Sequence, residues 1–257
     1  MKKHILLLFN VILFVSCCGV PSSKWDNEAA DLKGKKILLF TRNGEGYIHD
    51  NIPASIEMMF TLSKKEGFAL DTTTNSSIFA TAQLKQYDAV MFSNTNNDVF
   101  DTEAEKEGFV KYIQSGKGFV GIHSACGTER NWTWFKQMIG CTFDFHPPFQ
   151  PFTVKAVDKA HPSTKDIPEV WNVKDEFYVM REMNPTVRIL MVSDFSSPDF
   201  NQSRNMPNTF GKVFPSVWCN DFDGGRQWFT SLGHDKSDYS NPIYVGHILG
   251  GLKWVVK

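Results

Sequence analysis

Along the first half of the chain, apolar runs of strand length alternate with amphipathic stretches. "KKILLFT" (35–41) is continuously apolar at its centre, the pattern of a parallel strand buried on both faces. "NIPASIEMMFTLSKKEG" follows, with Ile52, Ile56, Met59 and Phe60 at helical spacing. Pro53 sits near the first turn of this predicted helix and Gly67 at its C-cap. "FALDTTT" (68–74) and "YDAVMFSN" (87–94) predict the second and third strands. In "DTEAEKEGFVKYIQSG", Thr102 and Glu105 have capping-box spacing, Phe109, Tyr112 and Ile113 form an apolar stripe, and Gly116 ends the helix. "GFVGIH" (118–123) predicts a fourth strand. Strand, helix, strand, short crossover, strand, helix, strand is the order of a doubly wound α/β sheet.

The second half changes character. "PFTVKAV" (151–157), "DEFYVMR" (175–181) and "VRILMVS" (187–193) predict strands without long helices between them. "SVWCN" and "RQWFTSL" flank "DFDGG", a hairpin turn. "NPIYVGHILGGLKWVVK" predicts a closing helix in spite of Gly250 and Gly251. One domain over 35–257 with an elaborated second half is the simplest parse.

The N-terminus follows another plan. Lys2 and Lys3, an apolar run from Ile5 to Val15, then Ser16 and Cys17 make a secretory signal peptide over 1–16. "FVSC" is similar to a bacterial lipobox, so Cys17 is the expected lipidation site and 17–34 a flexible tether. The expected location is the bacterial cell envelope, with the protein anchored to a membrane and facing the periplasm. Cys126, Cys141 and Cys219 are too few and too scattered for a disulfide framework or a thiolate metal site.

A net charge of -1 gives no electrostatic basis for binding nucleic acid. The chemistry-bearing residues instead gather after the predicted strands, where open α/β sheets bind ligands. "RNGEGYIHD" offers His49 and Asp50, "NTNND" follows the third strand, "HSACGTE" offers His123 and Glu129, "DEFY" offers Asp175, Glu176 and Tyr178, and "SLGHD" offers His234. His146, in "HPP", is a turn residue or a site residue, and His247, among apolar neighbours, reads as core. "GKGFVGIHSACGTE" has the form of a strand entering a nucleophile elbow, yet the apex is His123 and not serine or cysteine. A histidine there can move protons near neutral pH or ligate a metal through a neutral ring nitrogen.

"GYIHDNIP", "GKGFVGIHSACGTE", "MIGCTFDFHPPFQ", "DEFY", "PSVW", "GRQWFTSLGHD" and "GGLKWV" occur in an order that resembles the trehalose-utilisation (ThuA-like) family. The resemblance covers about residues 35–257. It implies a flavodoxin-like α/β three-layer sandwich of the class I glutamine amidotransferase type, with a mostly parallel central sheet. It also implies a role in carbohydrate utilisation. Where the amidotransferases carry "G-x-C-x-G", this chain has Gly121, Ile122, His123, Ser124 and Ala125, so thioester chemistry is excluded.

The leading expectation is an enzyme on a glycoside or 3-keto-glycoside, with His123, His49, Glu176 and His234 as the acid–base cluster. Asp50, Glu129, His146, Tyr178 and Trp218 are the expected substrate contacts, with Trp132 and Trp134 as further stacking candidates. A metal-assisted version places a divalent ion, zinc or manganese, on His49, His123, Glu176 and His234. The alternative from another class is a non-catalytic sugar-binding or regulatory module.

Overall fold

The computed structural model describes residues 26–196, 199 and 213–257. In the first half, strands β1 (Lys36–Phe40), β2 (Ala69–Thr73), β3 (Ala89–Ser93) and β4 (Gly118–Ile122) alternate with helices α1 (Ile52–Glu66) and α2 (Glu103–Gln114). The elements start and stop where their residues dictate. Thr102 Oγ1 accepts the Glu105 N–H at the start of α2, while Glu105 Oε2 accepts the Asp101 N–H. The crossover from β2 to β3 is a pair of 3-10 turns, Ser76–Ala80 and Ala82–Gln86.

The second half holds α3 (Thr133–Ile139), β5 (Thr142–Phe145), β6 (Gln150–Ala156), β7 (Val170–Asp175), β8 (Val179–Arg181) and β9 (Arg188–Asp194). The hairpin β10 (Val213–Phe222) and β11 (Gly225–Thr230) and the helix α4 (Pro242–Val255) complete it. One sheet runs β2-β1-β3-β4-β11-β10-β9-β6-β7, and β5 pairs with β8 apart from it. From β2 through β11 neighbouring strands are parallel, and from β10 outward they are antiparallel.

Apolar side chains pack on both faces of this sheet. On one face Leu39, Met91, Val120 and Trp228 meet α1 and α4 through Met59, Leu252 and Trp254. On the other, Phe40, Phe92, Phe119 and Phe229 meet α2 and α3 through Phe109 and Phe135. The result is the expected three-layer α/β sandwich with a mostly parallel core. Gly250 and Gly251 let α4 lie close: a Cβ on Gly251 would stand 2.4 Å from the Trp228 ring, and one on Gly250 2.4 Å from Pro162 O.

Two expectations need correcting. The run 175–181 is not one strand, because β7 ends at Asp175 and β8 begins at Val179. Residues 175–180 are all buried, so alternation could not mark the break. The flexible tether expected over 17–34 does not extend through residues 26–34. Leu32 is fully buried in the core, Trp254 Nε1 donates to Asp26 O at 2.7 Å, and Arg226 pairs with Asp26 at 2.6 Å. Residues 26–34 therefore lie against the sandwich. The expected signal peptide and Cys17 fall outside the described residues.

Candidate functional site

The turn after β4 has the strained form that the sequence suggests. His123 adopts φ 53, a conformation unusual for a residue with a Cβ, directly after β4 and at the start of the 3-10 turn His123–Gly127. Its ring is fully buried and does not face the open cleft as an elbow apex would. Nδ1 lies 2.8 Å from Ser231 O, so it carries the proton and donates to that carbonyl. That bond sets the tautomer and leaves a lone pair on Nε2.

The other groups converge on that lone pair. His123 Nε2 is 3.3 Å from His234 Nδ1 and 3.4 Å from Glu176 Oε2, and those two atoms are 3.2 Å apart. His49 completes the group: one ligating atom from each of His49, His123, Glu176 and His234 lies within 4.8 Å of all the others. His49 is delivered by the loop after β1, His123 by that after β4, His234 by that after β11, and Glu176 by the turn between β7 and β8. Asp175 positions two of these elements. Its Oδ2 accepts the Gly233 N–H at 2.7 Å, and its Oδ1 accepts those of Glu176 at 2.7 Å and His234 at 3.3 Å.

The electrostatics follow from burial and crowding. Burial, with the neighbouring His123 and His234, pushes the His49 imidazole down to about 3, so it is neutral at physiological pH. Burial alone would raise the Glu176 carboxyl, but the hydrogen bonds and charge that the His123 and His234 rings offer it when protonated outweigh this and hold it well below the usual carboxylate range. Burial lowers His234, and the Glu176 bond and charge more than reverse this, so its pKa is raised.

The donor set suits a divalent metal. Three nitrogens and a carboxylate oxygen are zinc-type ligands, and bonds of about 2.0–2.1 Å in a tetrahedron give ligand edges of roughly 3.3 Å. The three short separations among His123, His234 and Glu176 have that length. Lone pairs brought this close repel unless a proton or cation lies between them, and a metal would satisfy all of them.

Above the cluster opens a cleft of about 350 Å³ lined by Tyr47, Asn96, Ser124, Arg130, Phe143, His146 and Tyr178, with His49, Glu176 and His234 at its floor. Tyr178 Oη is 2.9 Å from His123 Nε2, and burial raises its pKa far above that of a free phenol. His146 stands at the mouth with Nε2 3.4 Å from Glu176 Oε1, and its Nδ1 is 2.8 Å from Pro147 O.

Three expected substrate contacts lie elsewhere. Trp218 is fully buried, its Nε1 donates to Ile139 O at 2.8 Å and its ring packs on Phe229, so it belongs to the core. Glu129 adopts φ 49, which turns its side chain inward; its Oε1 accepts the N–H groups of Val99 and Phe100, and its Oε2 pairs with Lys106. Asp50 is exposed and does not line the cleft, acting only through its charge on His234. Trp132 and Trp134 stack on one another beside Phe135, away from the cleft. Tyr47, Arg130 and Phe143 escaped the sequence reading, although Arg130 is one residue beyond the "HSACGTE" cluster; Asn96 lies in "NTNND" after β3, a cluster the sequence marks without singling out this residue.

Comparison with known proteins accords with this architecture. The family model described as trehalose utilisation (ThuA) matches residues 36–255. A ThuA-like protein from Bacteroides uniformis ATCC 8492 superposes with a TM-score of 0.71 at 24% identity, over 90% of this chain and 95% of that one. A ThuA-like protein from Parabacteroides merdae ATCC 43184 gives 0.68 at 21% identity, over 88% and 91%. A β-galactosidase from Rahnella sp. R3 shares the fold over 86% of this chain and 31% of its own, with a TM-score of 0.53 at 14% identity. No curated protein matches the sequence.

Proposed function

Because the chain belongs to the trehalose-utilisation (ThuA) family, we propose that it is a carbohydrate-acting enzyme centred on His49, His123, Glu176 and His234, which hold one divalent metal, zinc or manganese. The observation that carries this reading is the convergence of the four ligating atoms within 4.8 Å, three of the residues lining the floor of a cleft. A binding module needs aromatics and amides to hold a sugar. It has no use for three imidazoles and a carboxylate packed at ligand spacing.

The substrate class that fits is a glycoside carrying a ketone on the sugar ring, such as a 3-keto-glycoside. A ring ketone acidifies the hydrogens on the adjacent carbons, so elimination, hydration or isomerisation needs only acid–base groups and charge stabilisation. A bound divalent ion supplies Lewis-acid stabilisation of the negative charge that develops on the carbonyl oxygen. His146, at the mouth beside Glu176, is the proton carrier: it takes the proton from the carbon next to the ketone while the C–H electron pair shifts toward the carbonyl oxygen, and it then returns that proton to the substrate. Tyr178 stays protonated over the working range and donates a hydrogen bond to a substrate oxygen. Asp175 keeps the Glu176 and His234 backbones in place during this exchange. The elbow offers no thiol, since Cys126 is buried beyond the apex and its sulfur lies against His123 O. The same proposal places the protein in the cell envelope, anchored through a lipid on Cys17.

The test is metal analysis of protein purified without added ions, followed by incubation with a panel of glycosides and their 3-keto derivatives with and without chelator. The expected result is about one equivalent of zinc or manganese and turnover of a keto-glycoside that chelator stops. Metal-free protein that binds no added zinc would overturn the metal centre. Metal-loaded protein inert on every sugar would overturn the enzyme reading.

A further inference from the structure

Arg130 is an arginine in a built seat with no acid to pair with. Its Nε–H donates to Gly127 O at 2.9 Å and its Nη2–H donates to Asn96 Oδ1 at 3.2 Å. The guanidinium lies 5.6 Å from the centroid of the Phe143 ring. The seat requires Gly127 to lack a side chain, because a Cβ there would stand 2.7 Å from Asn96 Oδ1 and 3.0 Å from Arg130 Nη2. A guanidinium has five N–H donors in a rigid fork, and two are used here, both on neutral oxygens.

The contrast with three other described arginines is chemical. Arg42 pairs with Asp101, Arg188 with Asp158 and Arg226 with Asp26, while Arg181, exposed at the end of β8, bears on Glu182 through its charge. Among the described residues no carboxylate pairs with Arg130, although it faces a cleft. Its neighbour Glu129 turns the other way and is consumed by Lys106 and two backbone N–H groups. Among the described residues the one carboxylate lining the cleft, Glu176, is engaged by His123, His146 and His234. The positive charge of Arg130 is therefore left for the ligand to neutralise.

We propose that the cleft takes a carboxylate-bearing sugar, a uronic acid or its glycoside, and that Arg130 recognises the carboxylate. This rests on the reading that the cleft binds carbohydrate. A planar monoanion matches the free edge of one guanidinium, which can give it two parallel hydrogen bonds. A phosphate would call for more donors, and among the described residues no second lysine or arginine lines the cleft. Phe143 beneath the guanidinium and Tyr47, 60% exposed at the mouth, offer apolar faces for the sugar ring. Because the seat holds Arg130 before the ligand arrives, little side-chain freedom is lost on binding.

The experiment is calorimetric titration of the zinc-loaded full chain with D-glucuronate, D-glucose and D-glucose 6-phosphate. D-Glucuronate is expected to bind at least about tenfold more tightly than either of the others, the size of one charge-assisted contact. Arg130→Met should abolish that preference and Arg130→Lys should keep only part of it, while both variants take up zinc as the parent does. Equal binding of glucuronate and glucose, tightest binding of glucose 6-phosphate, or an Arg130→Met protein that keeps the preference would each overturn the proposal. If Arg130→Met does not fold, Arg130→Lys decides: undiminished preference for glucuronate overturns it, and a reduced one supports it. Failure of zinc uptake in the parent, with the Arg130-dependent preference intact, would remove the metal centre and leave this inference standing.

Discussion

Replacing Asp238 by asparagine should stabilise the protein at pH 8 and do little near pH 4.5. Asp238 lies in the 3-10 turn Lys236–Ser240, shortly after His234, and among the described residues its Oδ2 finds no hydrogen-bond partner. Burial first, then the charges of Asp175 and Asp235, raise its pKa from 3.8 to about 7. A folded carboxyl with a raised pKa holds its proton where the unfolded chain has released it. Its full stability is thus present below 3.8 and is lost as pH climbs through about 7. The gap of about 3 pH units, at 1.36 kcal/mol each, sets a ceiling of about 4 kcal/mol. The side chain is only half-buried and water screens it, so about 2 kcal/mol is the reasonable size. Asparagine has the same shape and no charge to bury, so it should recover that amount at pH 8. Urea denaturation of parent and variant at pH 4.5 and pH 8 reads the effect as a difference of differences. His234, Asp175 and Asp235, the charged groups that bear on Asp238, are present in both proteins and cancel to first order. An equal stability difference at the two pH values, or a variant less stable at pH 8, would refute the reasoning.

Other substitutions probe the site and its supports. His123→Ala should lose zinc affinity and also about 1–3 kcal/mol of stability, because Ser231 O loses its buried donor; calorimetry and thermal melting would expose an unchanged protein, which would contradict both roles. Trp218→Ala should cost about 3–5 kcal/mol as a core cavity, while Trp218→Phe, folded, should bind sugar as the parent does; a selective loss of sugar affinity would return Trp218 to the cleft. Cys17→Ala should move the protein from the membrane fraction to a soluble one or leave an unprocessed precursor; normal processing with unchanged fractionation would argue against a lipid anchor.

Local chemistry determined much of this molecule in advance. The runs in β1, β3 and β4 are buried on both faces, so continuous apolarity alone marks them, and capping residues mark α2. Strand ends in an open α/β sheet point one way, so His49, His123 and His234 could be assigned to a common edge without coordinates. What neighbours along the chain could not decide was which way a side chain turns once distant segments pack. Positive φ at Glu129 buries that carboxylate and leaves Arg130 facing the cleft, a choice between adjacent residues set by the approach of Val99, Phe100 and Asn96. The same limit hid the break between β7 and β8, since uniform burial erases alternation, and it hid the fate of Trp218, since an aromatic ring suits a core and a sugar platform equally well. His123 unites the two cases. Its backbone turn was legible from the small residues around it, but its burial beneath Tyr178 and its tautomer were decided by Ser231, 108 positions away.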